Sequence, residues 1–117
     1  MREEDMIEEG MIREGQMNHE DQSIELQVLA RAHRLIAVFG WVQGGYGDEL
    51  TGYCVRGALD AAGYGMELAT AESVRRSGAL LCKLVAEMGF EDVTDWNDEL
   101  GRTKQEVLDL LDRAVER

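Results

Sequence analysis

The densest run of chemically useful side chains is Asp95-Trp96-Asn97-Asp98-Glu99-Leu100-Gly101-Arg102-Thr103-Lys104-Gln105-Glu106. Asp95, Asn97, Glu99 and Glu106 stand at the first, third, fifth and twelfth positions, the spacing by which oxygen ligands wrap a calcium ion in an EF-hand loop. Two positions break the pattern. Leu100 occupies the sixth place, where glycine permits the sharp turn, and Arg102 occupies the eighth, normally apolar. Thr103 and Glu106 also form a Thr-x-x-Glu capping box, and a carboxylate folded back onto its own helix start is not free to chelate an ion. The expected roles are therefore structural. Trp96 plugs the core, Asn97 and Asp98 satisfy turn amides, and Arg102 pairs with a nearby acid. No metal and no cofactor are expected.

The glycine-rich stretch Gly40-Trp41-Val42-Gln43-Gly44-Gly45-Tyr46-Gly47-Asp48-Glu49 resembles a phosphate cradle in composition. It lacks the rest of one: no strand precedes it, no Gly-Lys-Ser/Thr ends it, and Asp48 and Glu49 repel anions. Exposed aromatics on a glycine-hinged loop suit a protein-binding edge better. Trp41, Tyr46 and Tyr53, with Asp48 and Glu49, are the expected partner contacts. Nucleophilic catalysis needs a nucleophile, a base and an orienter. The chain offers His19, His33 and the two thiols Cys54 and Cys82, with no spacing that joins them, so a non-enzymatic protein is expected.

These residues need elements to position them. Ile24, Val28, Ala32, Leu35, Ile36 and Phe39 recur at helical spacing, predicting a helix from Ser23 to Gly40. Thr51 is placed as the N-cap of a second helix, with Leu50 and Val55 as its hydrophobic staple. That helix buries Cys54, Val55, Ala58 and Leu59 and stops near Gly63 and Gly65. Thr70 caps a third, with Val74, Leu81, Leu84, Val85 and Met88 on one face and Gly89 at its end. The fourth starts at Thr103 and buries Val107, Leu110, Leu111, Ala114 and Val115. No segment alternates as a strand does. The expected fold is all-α, a compact bundle of about four helices.

The chain has 117 residues and a net charge of −12, with 44% hydrophobic residues, so one domain with a real core is expected. Collagen-like, disulfide-scaffold and fully disordered classes are excluded by composition. Binding to a phosphate backbone is disfavoured, since that needs clustered Lys and Arg. Residues 1–25 hold nine acids and two arginines. Within them Met6-Ile7-Glu8-Glu9-Gly10 is nearly repeated by Met11-Ile12-Arg13-Glu14-Gly15, a period of five that builds no continuous apolar stripe. Residues 1–22 read as a mobile acidic tail, and residues 23–117 as one helical domain. The apolar run Leu35 to Val42 is far short of the ~20 residues that span a bilayer. The start Met-Arg-Glu-Glu-Asp lacks the features of a signal peptide, so a cytoplasmic location with free thiols is expected.

Gly40-Trp41-Val42-Gln43-Gly44, Tyr53-Cys54-Val55-Arg56-Gly57-Ala58-Leu59, Trp96-Asn97-Asp98-Glu99-Leu100-Gly101-Arg102-Thr103 and Leu111-Asp112-Arg113-Ala114 resemble, in this order, a family of small proteins of unknown function from actinobacteria and their phages. The likeness covers roughly residues 26–117. It implies such a setting, which the use of ten Arg against two Lys fits, and it implies no activity. The function expected is an acidic protein-binding module, an inhibitor or adaptor occupying a basic surface of a nucleic-acid-handling protein. Its partner would be basic, with no direct nucleic-acid or membrane contact and with self-association allowed. The alternative is a small-molecule- or metal-responsive domain in which the aromatic loop serves as lid.

Overall fold

The structure, a computed structural model, describes residues 20–116. The acidic segment 1–19, with His19 and the five-residue near-repeat, lies outside the described residues. The elements are α1 (Glu20–Phe39), β1 (Gly47–Asp48), β2 (Gly52–Tyr53), α2 (Val55–Tyr64), α3 (Ala71–Ala86), α4 (Val93–Asn97) and α5 (Lys104–Glu116). The chain is mostly helical, with one small antiparallel hairpin that pairs Gly47 with Tyr53 and Asp48 with Gly52. Helix α1 is the central element and packs against α2, α3 and α5. It contributes Val28, Leu29, Ala32 and Ile36 to the core. Val55, Ala58, Leu59 and Ala62 meet them from α2, and Leu81, Leu84 and Val85 from α3. Val93 and Trp96 of α4 and Val107, Leu110, Leu111 and Ala114 of α5 complete it. Each set recurs at three- and four-residue steps, so each helix turns a single apolar stripe inward. Among the described residues no helix is long and apolar enough to cross a membrane.

Five helices and a hairpin replace the four helices expected. The glycine-rich connector is not a plain loop, because its two ends are strapped together. Tyr53 N donates to Gly40 O at 2.9 Å and Val42 N to Tyr53 O at 3.1 Å, so Trp41 bridges Tyr53 in parallel on the side opposite β1. Gly52 permits this. Its φ is +97°, and a Cβ there would fall 2.6 Å from the Gly40 carbonyl carbon. No periodicity signals strands of two residues.

The start of α2 also differs. Thr51 does not cap it: its hydroxyl is spent on Asp48, to whose Oδ1 it donates at 3.1 Å. Leu50 is 93% exposed, so it staples nothing to Val55. The N-cap is Cys54, whose Sγ accepts from Gly57 N at 3.2 Å. Strand β2 displaces the helix start by keeping Tyr53 extended. Helix α2 then runs through Gly63 to Tyr64 and ends at Gly65. Gly63 is a contact residue rather than a stop, since a Cβ would collide with Val74 of α3. Thr70 does cap α3, accepting from Ser73 N at 3.1 Å. Regular α3 ends at Ala86, and Met88 lies beyond it, exposed rather than on the inner face. The chain closes around Gly89 with Phe90 N bonded to Val85 O and Gly89 N to Ala86 O, both at 3.1 Å.

At α5 the capping box is reciprocal. Thr103 N donates to Glu106 Oε1 at 2.9 Å, and Glu106 N donates to Thr103 Oγ1 at 3.2 Å. The amide of Thr103, then the Arg102 guanidinium, hold the Glu106 carboxyl below its ordinary pKa. Replacing Thr103 with Ala should cost about 1 kcal/mol in denaturant unfolding, and Thr103→Ser only a small fraction of that. Equal losses in both variants would show that the hydroxyl does something other than cap.

Candidate interaction surface

The hairpin, the end of α1 and the turn after α4 come together at one end of the molecule, and a single side chain joins them. Asn97 is the last residue of α4 and only 1% exposed. Its Oδ1 accepts from the Trp41 indole at 2.8 Å and from Val55 N at 3.1 Å. Its Nδ2 donates to Val42 O at 3.2 Å and to Asp98 Oδ1 at 2.9 Å. The carboxamide thus uses both lone pairs and both N–H groups, full satisfaction for a buried Asn. Gln43 adds two bonds across the same seam, from Nε2 to Asn97 O at 3.0 Å and to Glu99 O at 2.9 Å. Gly44 N donates to Asp98 Oδ1 at 3.0 Å.

Beside Asn97, Trp96 turns into the core and carries Arg102 on its outer face, the guanidinium carbon 4.0 Å from the ring centroid. Arg102 Nε also donates to Trp96 O at 2.8 Å, and its Nη1 lies 3.6 Å from Glu106 Oε1. This cation is half-buried, with its Nε and Nη1 both directed at acceptors of the same segment.

The hairpin turn is held from within by Asp48. Its Oδ1 accepts from Leu50 N at 2.8 Å, Thr51 N at 2.9 Å and the Thr51 hydroxyl at 3.1 Å, an Asx-turn closed on itself. These bonds, that of the Thr51 amide first, lower the Asp48 pKa. The turn it secures lifts Leu50 into solvent, with Tyr46 64% exposed and Glu49 exposed beside it. Across the seam, Leu100 is 96% exposed, flanked by exposed Asp98 and Glu99. Lys104, the nearest other cation to this turn in sequence, donates to Ala37 O at 3.4 Å. The surface combines apolar side chains and carboxylates on a frame that holds them still.

Of the five residues expected to meet a partner, three face outward here: Tyr46, Asp48 and Glu49. Tyr53 is buried, with Phe39 edge-on at 6.3 Å, and its pKa is raised by burial, then by Glu49 and Asp48. Trp41 is half-buried and tied to Asn97. An aromatic in a glycine-rich loop can stay exposed or close over the end of the bundle; here strand pairing turns Tyr53 inward and leaves Trp41 half-buried. Leu50 reads in the sequence as the hydrophobic staple of α2 and Leu100 as the residue that breaks a calcium-type loop, so neither is marked there as a surface residue.

The calcium-type set does not converge. Asn97 points inward, Glu106 is bound into its cap, and Asp95 and Glu99 face solvent. Among the described residues no group of three or more His, Cys, Asp and Glu is arranged to hold a metal ion. The thiol–imidazole pair is also apart in role: Cys54 caps α2, while His33 Nε2 meets Asp112 Oδ1 of α5 at 3.3 Å. Both cysteines are free. Cys82 donates to Asp92 Oδ1 at 3.2 Å, and the same oxygen meets Arg56 Nη2 at 3.3 Å. Burial raises the Cys82 pKa, and the bond from Cys82 lowers that of Asp92.

Replacing Asn97 with Ala leaves the Val55 amide, the Trp41 indole and the Val42 carbonyl without a partner. At roughly 1–3 kcal/mol for each buried orphan, non-additively, Asn97→Ala should lose about 3 kcal/mol or more in urea unfolding. Trp41→Phe, which drops one bond and keeps an aromatic ring, should lose about 1 kcal/mol. Asp48 gives a pH signature. Because its folded pKa is depressed, its contribution is present above the ordinary carboxylate range and lost as pH falls through the folded value. NMR titration should therefore place the Asp48 midpoint below that of an unstructured Asp, and Asp48→Asn should flatten the acid limb of the stability curve.

No curated protein and no solved structure matches the chain. A family model described as "Family of unknown function (DUF6197)" matches residues 22–117, which take in every described element except the first two residues of α1. On that match the chain belongs to this family of unknown function.

Proposed function

We propose that the protein is a non-enzymatic binding module that docks its acidic hairpin end on a basic surface of another protein. The carrying observation is the ordered display of Leu50, which is 93% exposed on a turn whose Leu50 and Thr51 amides are both bound by Asp48. An exposed leucine on an ordered turn suits an anchor, because the backbone that carries it loses little further entropy on binding. Asp48 and Glu49 set negative charge beside it in the turn, Asp98 and Glu99 add exposed carboxylates after α4, and a net charge of −12 on the whole chain accelerates encounter with a cationic partner. In the finer form of the reading, the module is an inhibitor or adaptor of a nucleic-acid-handling protein in an actinobacterial or phage setting, working in the cytoplasm.

The test is affinity capture from such a host with the full chain, beside Leu50→Ser and Glu49→Lys. Both substitutions lie on the solvent side of the turn and should leave the melting temperature unchanged. A basic protein retained by the wild type at low salt, released as salt rises and missed by both variants is the expected result. Equal capture by all three proteins would sink the reading.

A further inference from the structure

At the foot of the hairpin lies a cleft of about 230 Å3 lined by Gly44, Gly45, Tyr46, Cys54, Arg56, Thr94 and Asp98. That is smaller than the ~300–1,000 Å3 of pockets for drug-sized ligands, and closer to the room one long side chain needs. Its polar groups are fixed yet incompletely used. Asp98 Oδ1 is held by Gly44 N and Asn97 Nδ2, while among the described residues Asp98 Oδ2 and the Thr94 hydroxyl take part in no hydrogen bond. Thr94 and Asp98 are four residues apart at the end of one helix, so both can reach the same guest. Tyr46 also lines the cleft and is 64% exposed, so its ring is free to turn toward a guest. Arg56, the one cation of the lining, is neutralised by Asp92 at 3.3 Å.

We propose that this cleft is the anchor pocket of the interaction and takes one arginine side chain of the partner, an inference that rests on the docking reading above. The stem lies along Cys54 and the glycine backbone, the guanidinium faces Tyr46, and its donors reach Asp98 Oδ2 and Thr94 Oγ1. Arginine suits the pair better than lysine, because its planar fork spreads donors over two separate acceptors and stacks on an aromatic face. A carboxylate already pinned by two bonds loses no further freedom when the cation arrives, which is the condition under which a charge-assisted bond adds most affinity.

The probe is an acetylated, amidated Gly-Arg-Gly peptide against its citrulline counterpart, which keeps the shape and removes the charge. Each is titrated into the full chain while amide NMR signals are followed. The arginine peptide should move the signals of Gly44, Gly45, Tyr46 and Thr94, and the citrulline peptide should not. Asp98→Asn keeps an oxygen for Gly44 and Asn97 but loses the charge, and should weaken arginine-peptide binding by about tenfold or more. Equal shifts from citrulline, shifts scattered over the acidic surface, or unchanged affinity in Asp98→Asn would each overturn the pocket. Capture of a basic partner that depends on Leu50 yet survives Asp98→Asn would overturn the pocket alone, whereas capture indifferent to Leu50 would remove the docking reading beneath it.

Discussion

One buried carboxamide holds the hairpin end of this protein together. Asn97 stands where the strap after α1, the first turn of α2 and the end of α4 meet, and it gives each the bond that its backbone or side chain lacks. Burying an amide without partners costs several times what a net hydrogen bond returns, so a residue that satisfies four neighbours at once has few substitutes. Asp is an example: it keeps the acceptor for Trp41 and Val55 but offers nothing to Val42 O and brings a charge into the same space.

The consequence is a rigid tip on a conventional helical body. Below, α1 is flanked by three helices through apolar stripes that any chain of similar pattern would bury. Above, Tyr53 and Trp41 pack inward, but the order of the turns does not come from burial of Leu50, Leu100 or Tyr46, which remain outside. It comes from hydrogen bonds: Asp48 inside the turn, Gln43 and Asn97 across the seam, Gly44 to Asp98. Polar groups thus order the turns, and Leu50, Leu100 and Tyr46 stay exposed on them.

Charge is arranged to the same end. Arg102 lies over the Trp96 ring with Glu106 at its edge, and Lys104 donates to the Ala37 carbonyl in the last turn of α1, where a cation also complements the helix dipole. The carboxylates of Glu49 and Glu99 meet no such cation in the described structure. The negative face is therefore a product of where the cations are tied down as much as of how many acids the chain carries.

What the amino-acid sequence determines by itself is everything decided within one helical turn. The stripes of α1, α3 and α5, the Thr70 cap, the Thr103–Glu106 box and the closing role of Gly89 all depend on residues three to five apart, so their spacing declares them. The competition at Glu106 between cap and calcium ligand was legible for the same reason. The tertiary structure alone decided the rest. Whether Trp41 and Tyr53 face water, whether Thr51 or Cys54 starts α2, and whether Gly63 ends a helix or admits a neighbour all turn on contacts with distant segments. Trp41 and Asn97 are 56 residues apart and Val55 and Asn97 are 42 apart. No periodicity spans such distances, because the bond exists only after the helices have packed and brought the three backbones within reach of one side chain.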